Sequence, residues 1–102
     1  MSEQRSTAQS AGKVLEVLNV LLGNFAHGLT PGELAKATSL SPSNITRYIA
    51  TLEEKGFAER VAETGRIRPS VRLAQQAVVI LRSLDSARQR VDEIVHRVCT
   101  PQ

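Results

Sequence analysis

The stretch TPGELAKATSLSPSNITRYIATLEEKG, residues 30–56, decides the fold of this chain. Thr30–Glu33 has the composition of a capping box, with proline in the first helical position, so a helix begins here. Ser41 and Pro42 repeat this start signal for a second helix, which Gly56 ends. Two short helices joined by a tight turn predict a helix-turn-helix.

The second of these helices has two different faces. Ile45, Ile49 and Leu52 share one side at helical spacing, which predicts their burial. A helix that was merely solvated on its other side would typically carry several Lys–Glu pairs four residues apart. That side instead carries short, mostly polar side chains, one arginine, and Glu54 at its far end: Ser43, Asn44, Thr46, Arg47, Ala50, Thr51 and Glu54.

This composition suits contact with DNA. Small hydrogen-bonding side chains let a helix approach base edges closely, and arginine can bind guanine through two hydrogen bonds. The positive N-terminus of a helix adds a phosphate site. We therefore predict that residues 42–55 form a recognition helix in the major groove. Thr30 and Ser41, at the helix starts, and Tyr48, at the edge of the apolar side, join the predicted contacts.

The next segment predicts a β-hairpin. Residues 57–61 and 66–68 read as two short strands around a turn that contains Gly65, and Pro69 is expected to stop the second strand. The hairpin presents Arg60, Arg66 and Arg68. A basic hairpin after a recognition helix predicts the wing of a winged helix-turn-helix, about residues 57–69, with an irregular loop as the alternative.

A helix is predicted before the helix-turn-helix, from about residue 10 or 11 to residue 23 or 24. Its apolar stripe comprises Val14, Leu15, Leu18, Leu21, Leu22 and Phe25. Val17 and Val20 make it apolar nearly all round, which predicts either a central place in the core or a second partner, such as another subunit. Residues 1–10 are small and polar, and we expect a disordered arm.

Residues 70–98 carry an unbroken heptad pattern. The apolar positions alternate four and three residues apart: Leu73, Ala77, Ile80, Leu84, Ala87, Val91, Ile94 and Val98. Ser83–Ser86 could cap a new helix, so we expect two helices or one bent helix rather than a straight rod. The seam predicts a homodimer in which Val17 and Val20 also take part. Alternatively, its first half folds back onto those two valines within one subunit.

Length and charge limit the number of domains and the kind of partner. The 102 residues suffice for one domain with a modest core, and aromatic residues make up only 3%. The expected fold is mainly α with a small β-hairpin, divided into the arm (1–10), a winged helix-turn-helix (11–70) and a helical dimerisation segment (71–99). Net charge is +3, and residues 66–90 hold six arginines against one acid. A basic segment beside a helix-turn-helix fits a surface that faces phosphates.

Several classes of protein are disfavoured. A single cysteine rules out an intramolecular disulfide and suits a reducing compartment. With no apolar run of about 20 residues and no signal peptide, we expect a cytoplasmic protein that does not contact membranes. His96 and Cys99 alone do not make a zinc site. No catalytic set is apparent, so we predict neither an enzyme nor a bound metal or cofactor.

Five segments in order resemble the N-terminal winged-helix domain of IclR-family transcription regulators, over about residues 10–75: LEVL (15–18), LTPGELA (29–35), LSPS (40–43), RYIATL (47–52) and KGF (55–57). In that family the arginine and small polar residues of the recognition helix contact the operator. The resemblance therefore implies this role for Ser43, Asn44, Thr46 and Arg47. It also implies contacts from Arg66 and Arg68 to the DNA backbone, and dimerisation through the first and linker helices.

IclR regulators continue into an effector-binding domain, whereas this sequence ends at Gln102. We therefore expect a stand-alone DNA-binding protein, of phage type, without a small-molecule effector. The expected function is a homodimeric, sequence-specific regulator that binds double-stranded DNA. The alternative is a protein-interaction module that uses the heptad seam. Four acids close to the recognition helix keep this alternative open: Glu53, Glu54, Glu59 and Glu63.

Overall fold

The computed structural model describes residues 8–100 and contains four helices and one hairpin. They follow in the order α1 (Gln9–Leu22), α2 (Pro31–Thr38), α3 (Pro42–Glu54), β1 (Ala58–Arg60), β2 (Ile67–Pro69) and α4 (Val71–Cys99). The mainly helical winged fold is therefore confirmed. The predicted arm lies mostly outside the described residues, and its last two residues already belong to α1.

Both start signals of the helix-turn-helix act as the sequence predicts. The hydroxyl of Thr30 accepts from the N–H of Glu33, and the Glu33 carboxylate accepts from the N–H of Thr30, each at 3.0 Å. The hydroxyl of Ser41 accepts from the N–H of Asn44 at 3.2 Å. Ser39 ends α2 in the left-handed conformation, at φ 60°. The two helices thus begin and end at positions that local hydrogen bonding fixes.

The hairpin differs from its prediction at Pro69. β1 and β2 pair antiparallel, and Pro69 lies opposite Ala58 as part of the second strand. The hydrogen-bonded pairs of the ladder fall on either side, because the N–H of Ser70 donates to Phe57 and the N–H of Val61 donates to Arg66. Pro69 therefore occupies a position at which the ladder needs no donor, and the strand includes Pro69 as its last residue instead of ending before it.

A third segment pairs with the outer edge of β2. Leu29 and Ile67 exchange two backbone hydrogen bonds, of 2.8 and 2.7 Å, in an isolated antiparallel bridge. Gly28 precedes this bridge at φ 75°. The bridge joins the wing to the loop that enters α2, and the side chain of Ile67 is completely buried.

The core lies between α1, α2, α3 and the wing. It consists of Val17, Leu21, Leu34, Ile45, Tyr48, Ile49, Leu52, Ala58 and Ile67. Val17 is 0% exposed, so the prediction that it forms a dimer contact is wrong. Val20 is partly buried against the same core. The apolar side chains that α1 does expose are Leu15 and Leu22, with Phe25 just beyond its end.

The C-terminal segment is one uninterrupted helix of 29 residues, so of the two expected forms, two helices or one bent helix, the first is wrong. Ser83–Ser86 could cap a helix but lies inside this one, because nothing turns the chain there. None of the 29 residues, all of them described, is buried. The alternative, in which the first half of the seam packs on Val17 and Val20, does not occur, and Ile80 and Leu84 remain about 60% exposed.

The start of α4 is fixed to the wing. Ser70 caps α4 by accepting from the N–H of Leu73, and its hydroxyl donates to the carbonyl of Gly56 at 2.7 Å. The Glu59 carboxylate accepts from the N–H of Val71 and from Arg68. The first turn of α4 is therefore held against the end of α3 and against β1. Within residues 8–100, no helix is both long and apolar enough to span a bilayer.

Candidate nucleic-acid interface

The two faces of α3 divide as the sequence predicts. Ile45, Ile49 and Leu52 are at most 3% exposed, and they hold the helix on the core. The residues exposed on the other face near the helix start are Ser43, Thr46, Arg47 and Ala50, with Asn44 half-buried beside them. This outer face is narrow and free of long side chains except for Arg47. Its shape would let the helix axis approach a nucleic-acid groove closely.

Arg47 is held in place by its neighbours on α3. Its guanidinium donates to the side-chain oxygen of Asn44 at 3.1 Å and lies 5.7 Å from the centroid of the Tyr48 ring. Among the described residues, it forms no salt bridge with a carboxylate. A guanidinium in this position keeps its charge available and has less side-chain freedom to lose on binding.

The hydroxyl groups of α3 are already engaged as donors. Thr46 donates to the carbonyl of Pro42 at 3.0 Å, and Thr51 donates to that of Arg47 at 3.1 Å. The oxygen atoms of Ser41 and Ser43 lie 3.4 Å apart. The threonine oxygens can still accept hydrogen bonds, for example from the amino group of adenine or cytosine.

Three predicted contacts have local structural roles. Thr30 and Ser41 are N-caps, and their oxygens accept backbone hydrogen bonds. Tyr48 is only 5% exposed and belongs to the core. The prediction that Tyr48 contacts DNA is corrected accordingly. Tyr48 precedes Ile49 in a helix whose buried stripe is wider than the three aliphatic positions suggested.

The wing arginines are all paired with carboxylates. Arg60 lies 3.8 Å from Glu53, Arg66 lies 2.9 Å from Glu33, and Arg68 lies 2.8 Å from Glu59. The first two pairs connect the wing to α3 and to the start of α2, and the third joins β2 to β1 within the wing. They also lower the positive potential of the wing, which the sequence had predicted to be a basic surface. Of the three, Arg60 has the longest ion pair and the most exposed side chain, at 47%.

Sequence reasoning missed all three ion pairs, and the Arg66–Glu33 pair joins the most distant residues. Its two residues are 33 positions apart, and Glu33 had been assigned only to the capping box. Arg66 is 23% exposed, and its Nε atom is buried without a hydrogen-bond partner in the described part of the chain. The backbone N–H of Thr30, together with Arg66, lowers the pKa of Glu33 below its ordinary value.

Between residues 8 and 100, no three His, Cys, Asp or Glu side chains come close enough to hold a metal ion. Cys99 is exposed near the end of α4. The side chains that converge on one surface are those of the α3 outer face.

Comparison with known proteins agrees with this geometry. The profile of the MarR family matches residues 12–67, which run from α1 to the first residue of β2. The chain belongs to the MarR family. Its members are winged-helix transcription regulators. No match was found among curated proteins.

Solved structures confirm the resemblance to IclR-family domains. The Thermotoga maritima IclR structure is 30% identical, with a TM-score of 0.59 over 72% of this chain. An IclR-family transcriptional regulator from Brucella abortus is 23% identical, with a TM-score of 0.63 over 82% of the chain. Pseudomonas aeruginosa HmgR is also 23% identical, with a TM-score of 0.66 over 76%. The chain spans 32%, 33% and 29% of the Brucella, Pseudomonas and Thermotoga structures, respectively.

Proposed function

We propose that this MarR-family protein is a sequence-specific regulator that binds double-stranded DNA as a homodimer, with residues 11–70 contacting DNA and residues 71–99 joining the two copies. The outer face of α3 enters the major groove. Ser43, Asn44, Thr46 and Arg47 form the contact surface, and the N-termini of α2 and α3 approach phosphates.

The observation that carries this proposal is that Arg47 forms no salt bridge with a carboxylate among the described residues. Three arginines of the wing have carboxylate partners, whereas within residues 8–100 the guanidinium at the centre of the α3 outer face contacts only an amide oxygen and a ring. A charge kept unneutralised on a narrow polar surface fits recognition of guanine O6 and N7. The core beneath it gives a rigid support to that surface.

The wing has a lesser role in this proposal. Arg60 contacts the DNA backbone, because its ion pair is long and its side chain is the most exposed of the three. Arg66 and Arg68 mainly position the wing, and contact phosphate only by exchanging their carboxylate partners. Surface ion pairs contribute little, about 0–1 kcal/mol, so such an exchange is inexpensive.

Selection of bound sequences from a random pool of double-stranded DNA tests this proposal. A pseudo-palindromic consensus is expected. Arg47→Ala should then lose about 1–3 kcal/mol of discrimination at one base pair of each half-site. The matched control is Arg60→Ala, which should weaken binding to all sequences alike and reduce the salt dependence. No binding to any DNA at low salt would refute the proposal.

A further inference from the structure

The exposed seam of α4 is an apolar surface that the proposed DNA contacts do not use. Its side chains stand well out of the helix, with Ile80, Leu84, Val91, Ile94 and Val98 between 56% and 78% exposed. An isolated helix in water derives little stability from its own hydrogen bonds, and packing of an apolar face normally provides the rest. This face has no partner within the described chain.

One end of the seam forms the floor of a groove. Leu73, Ala77 and Ile80 line it from α4, and Leu22 and Phe25 line it from the end of α1, around a volume of about 400 Å³. The groove is apolar and open to solvent. The other end of the seam, at Val91, Ile94 and Val98, has no such wall and projects freely from the winged unit.

We propose that two copies pair antiparallel along the whole of α4, so that Val91, Ile94 and Val98 of each copy fill the groove of the other. The two-fold axis passes between Asp85 and Ser86. This inference rests on the homodimer of the proposed function and specifies its interface. Twofold symmetry then covers both grooves and both projecting ends at once.

The sizes of the seam residues favour this orientation. About the proposed axis, Leu73 faces Val98, Ala77 faces Ile94, Ile80 faces Val91, and Leu84 faces Ala87. Each alanine therefore meets a large side chain. In a parallel pair, Ala77 would face Ala77 and Ala87 would face Ala87, which would leave two gaps in the seam. A gap costs the dispersion contacts that a filled layer makes.

The charges beside the seam and the position of the groove also favour antiparallel pairing. Arg88, Arg90 and Arg97 occupy the positions beside the seam, all in the second half of α4. A parallel pair would bring these arginines of both copies, six in all, to one end of the seam, whereas an antiparallel pair places each set beside seam-flanking positions of the other helix that carry no charge. A parallel pair would also bring the two grooves face to face around Ala77, with no side chain to occupy them.

Spin-label distances distinguish the two orientations. Gln75 and Gln89 are exposed and lie two heptads apart on the outer side of α4. Each is replaced singly by cysteine in the full chain carrying Cys99→Ser, and labelled. In the antiparallel pair, the two labels at Gln75, one on each copy, lie about 30 Å apart along the α4 axis. The two labels at Gln89 lie about 10 Å apart along that axis. Both values follow from the rise of about 1.5 Å per residue. In a parallel pair neither position has an axial offset.

A clearly longer distance at Gln75 than at Gln89 is the expected result. Equal distances would overturn the antiparallel pairing and leave the homodimer intact. If sedimentation shows a monomer and the labels do not couple, both the antiparallel pairing and the homodimer are overturned. A gel shift on DNA shows separately whether α3 still binds. Capture of another protein's helix by the seam would give this monomeric outcome.

Two alanine substitutions on α4 test the surface itself. Ile94 and Val79 are 56% and 57% exposed, but only Ile94 lies in the seam. Ile94→Ala should raise the dimer dissociation constant by about a hundredfold or more, because apolar contacts are lost twice per dimer. Val79→Ala should change it by less than about threefold, since that side chain stays in solvent. Equal effects would contradict the assigned face.

Discussion

Gly28 provides a quantitative test of how the wing is joined to the core. A Cβ added there would lie 2.7 Å from the carbonyl oxygen of Ile67, and the backbone has φ 75°. A side chain in the left-handed region costs about 1 kcal/mol. The oxygen belongs to the Leu29–Ile67 bridge, whose two hydrogen bonds contribute about 1 kcal/mol each. Gly28→Ala should therefore lower the free energy of unfolding by about 3 kcal/mol.

Gly65 is the matched control for this substitution. It has nearly the same backbone conformation, φ 74°, but no atom lies within 4 Å of an added Cβ. Gly65→Ala should cost only the conformational part, about 1 kcal/mol. Gly12, inside α1 and equally open, should give the opposite sign, with Gly12→Ala stabilising by up to about 1 kcal/mol.

Urea unfolding followed by circular dichroism measures all three variants on one scale. The expected order of stability is Gly12→Ala, then the parent protein, then Gly65→Ala, then Gly28→Ala. If Gly28→Ala and Gly65→Ala lose the same stability, the close approach to Ile67 does not constrain the fold, and the inferred role of the bridge is refuted.

Two further predictions concern the caps. Ser70→Ala should lower the free energy of unfolding by about 2 kcal/mol in urea titrations, because the cap of α4 and a part-buried hydrogen bond to Gly56 are lost together. Ser41→Ala removes a cap alone and should lower the free energy of unfolding by about half as much. The pKa of Glu33 is lowered on folding, so its stabilising contribution is present above the unfolded pKa and is lost as pH falls through the folded pKa. The loss of stability in acid should be smaller in Glu33→Gln, and an unchanged acid limb would contradict the Thr30 and Arg66 contacts.

The winged unit could be predicted because its signals are local. The Thr30 and Ser41 caps depend on residues three positions away, so sequence spacing fixes them. The position of α3 followed from the spacing of Ile45, Ile49 and Leu52. Pro69 was misjudged because the role of its missing N–H depends on the register of β1 and β2, which sequence pattern alone did not supply.

Local signals could not predict the ion pairing of the wing arginines or which side chains of α1 are buried. The pairing of Arg66 with Glu33 requires the wing to fold back beside α2. Val17 and Leu22 belong to one continuous apolar surface in the sequence, yet Val17 is buried and Leu22 is 52% exposed. Which side of an apolar helix faces the core depends on the placement of the other elements.

In the proposed homodimer, the paired wing arginines make dimerisation decisive for DNA affinity. Each α3 offers one unpaired arginine to its half-site, so a single winged unit gains little from phosphate neutralisation and should bind weakly. Two units joined through α4 bind the second half-site at a high effective concentration, which multiplies affinity without a new contact. Ile94→Ala should therefore weaken binding to the full operator in fluorescence anisotropy and make it depend steeply on protein concentration. Its affinity for an isolated half-site should match that of the parent protein and of Val79→Ala, because α3 is unchanged. An equal loss on the half-site would instead show that the seam supports the fold of the winged unit.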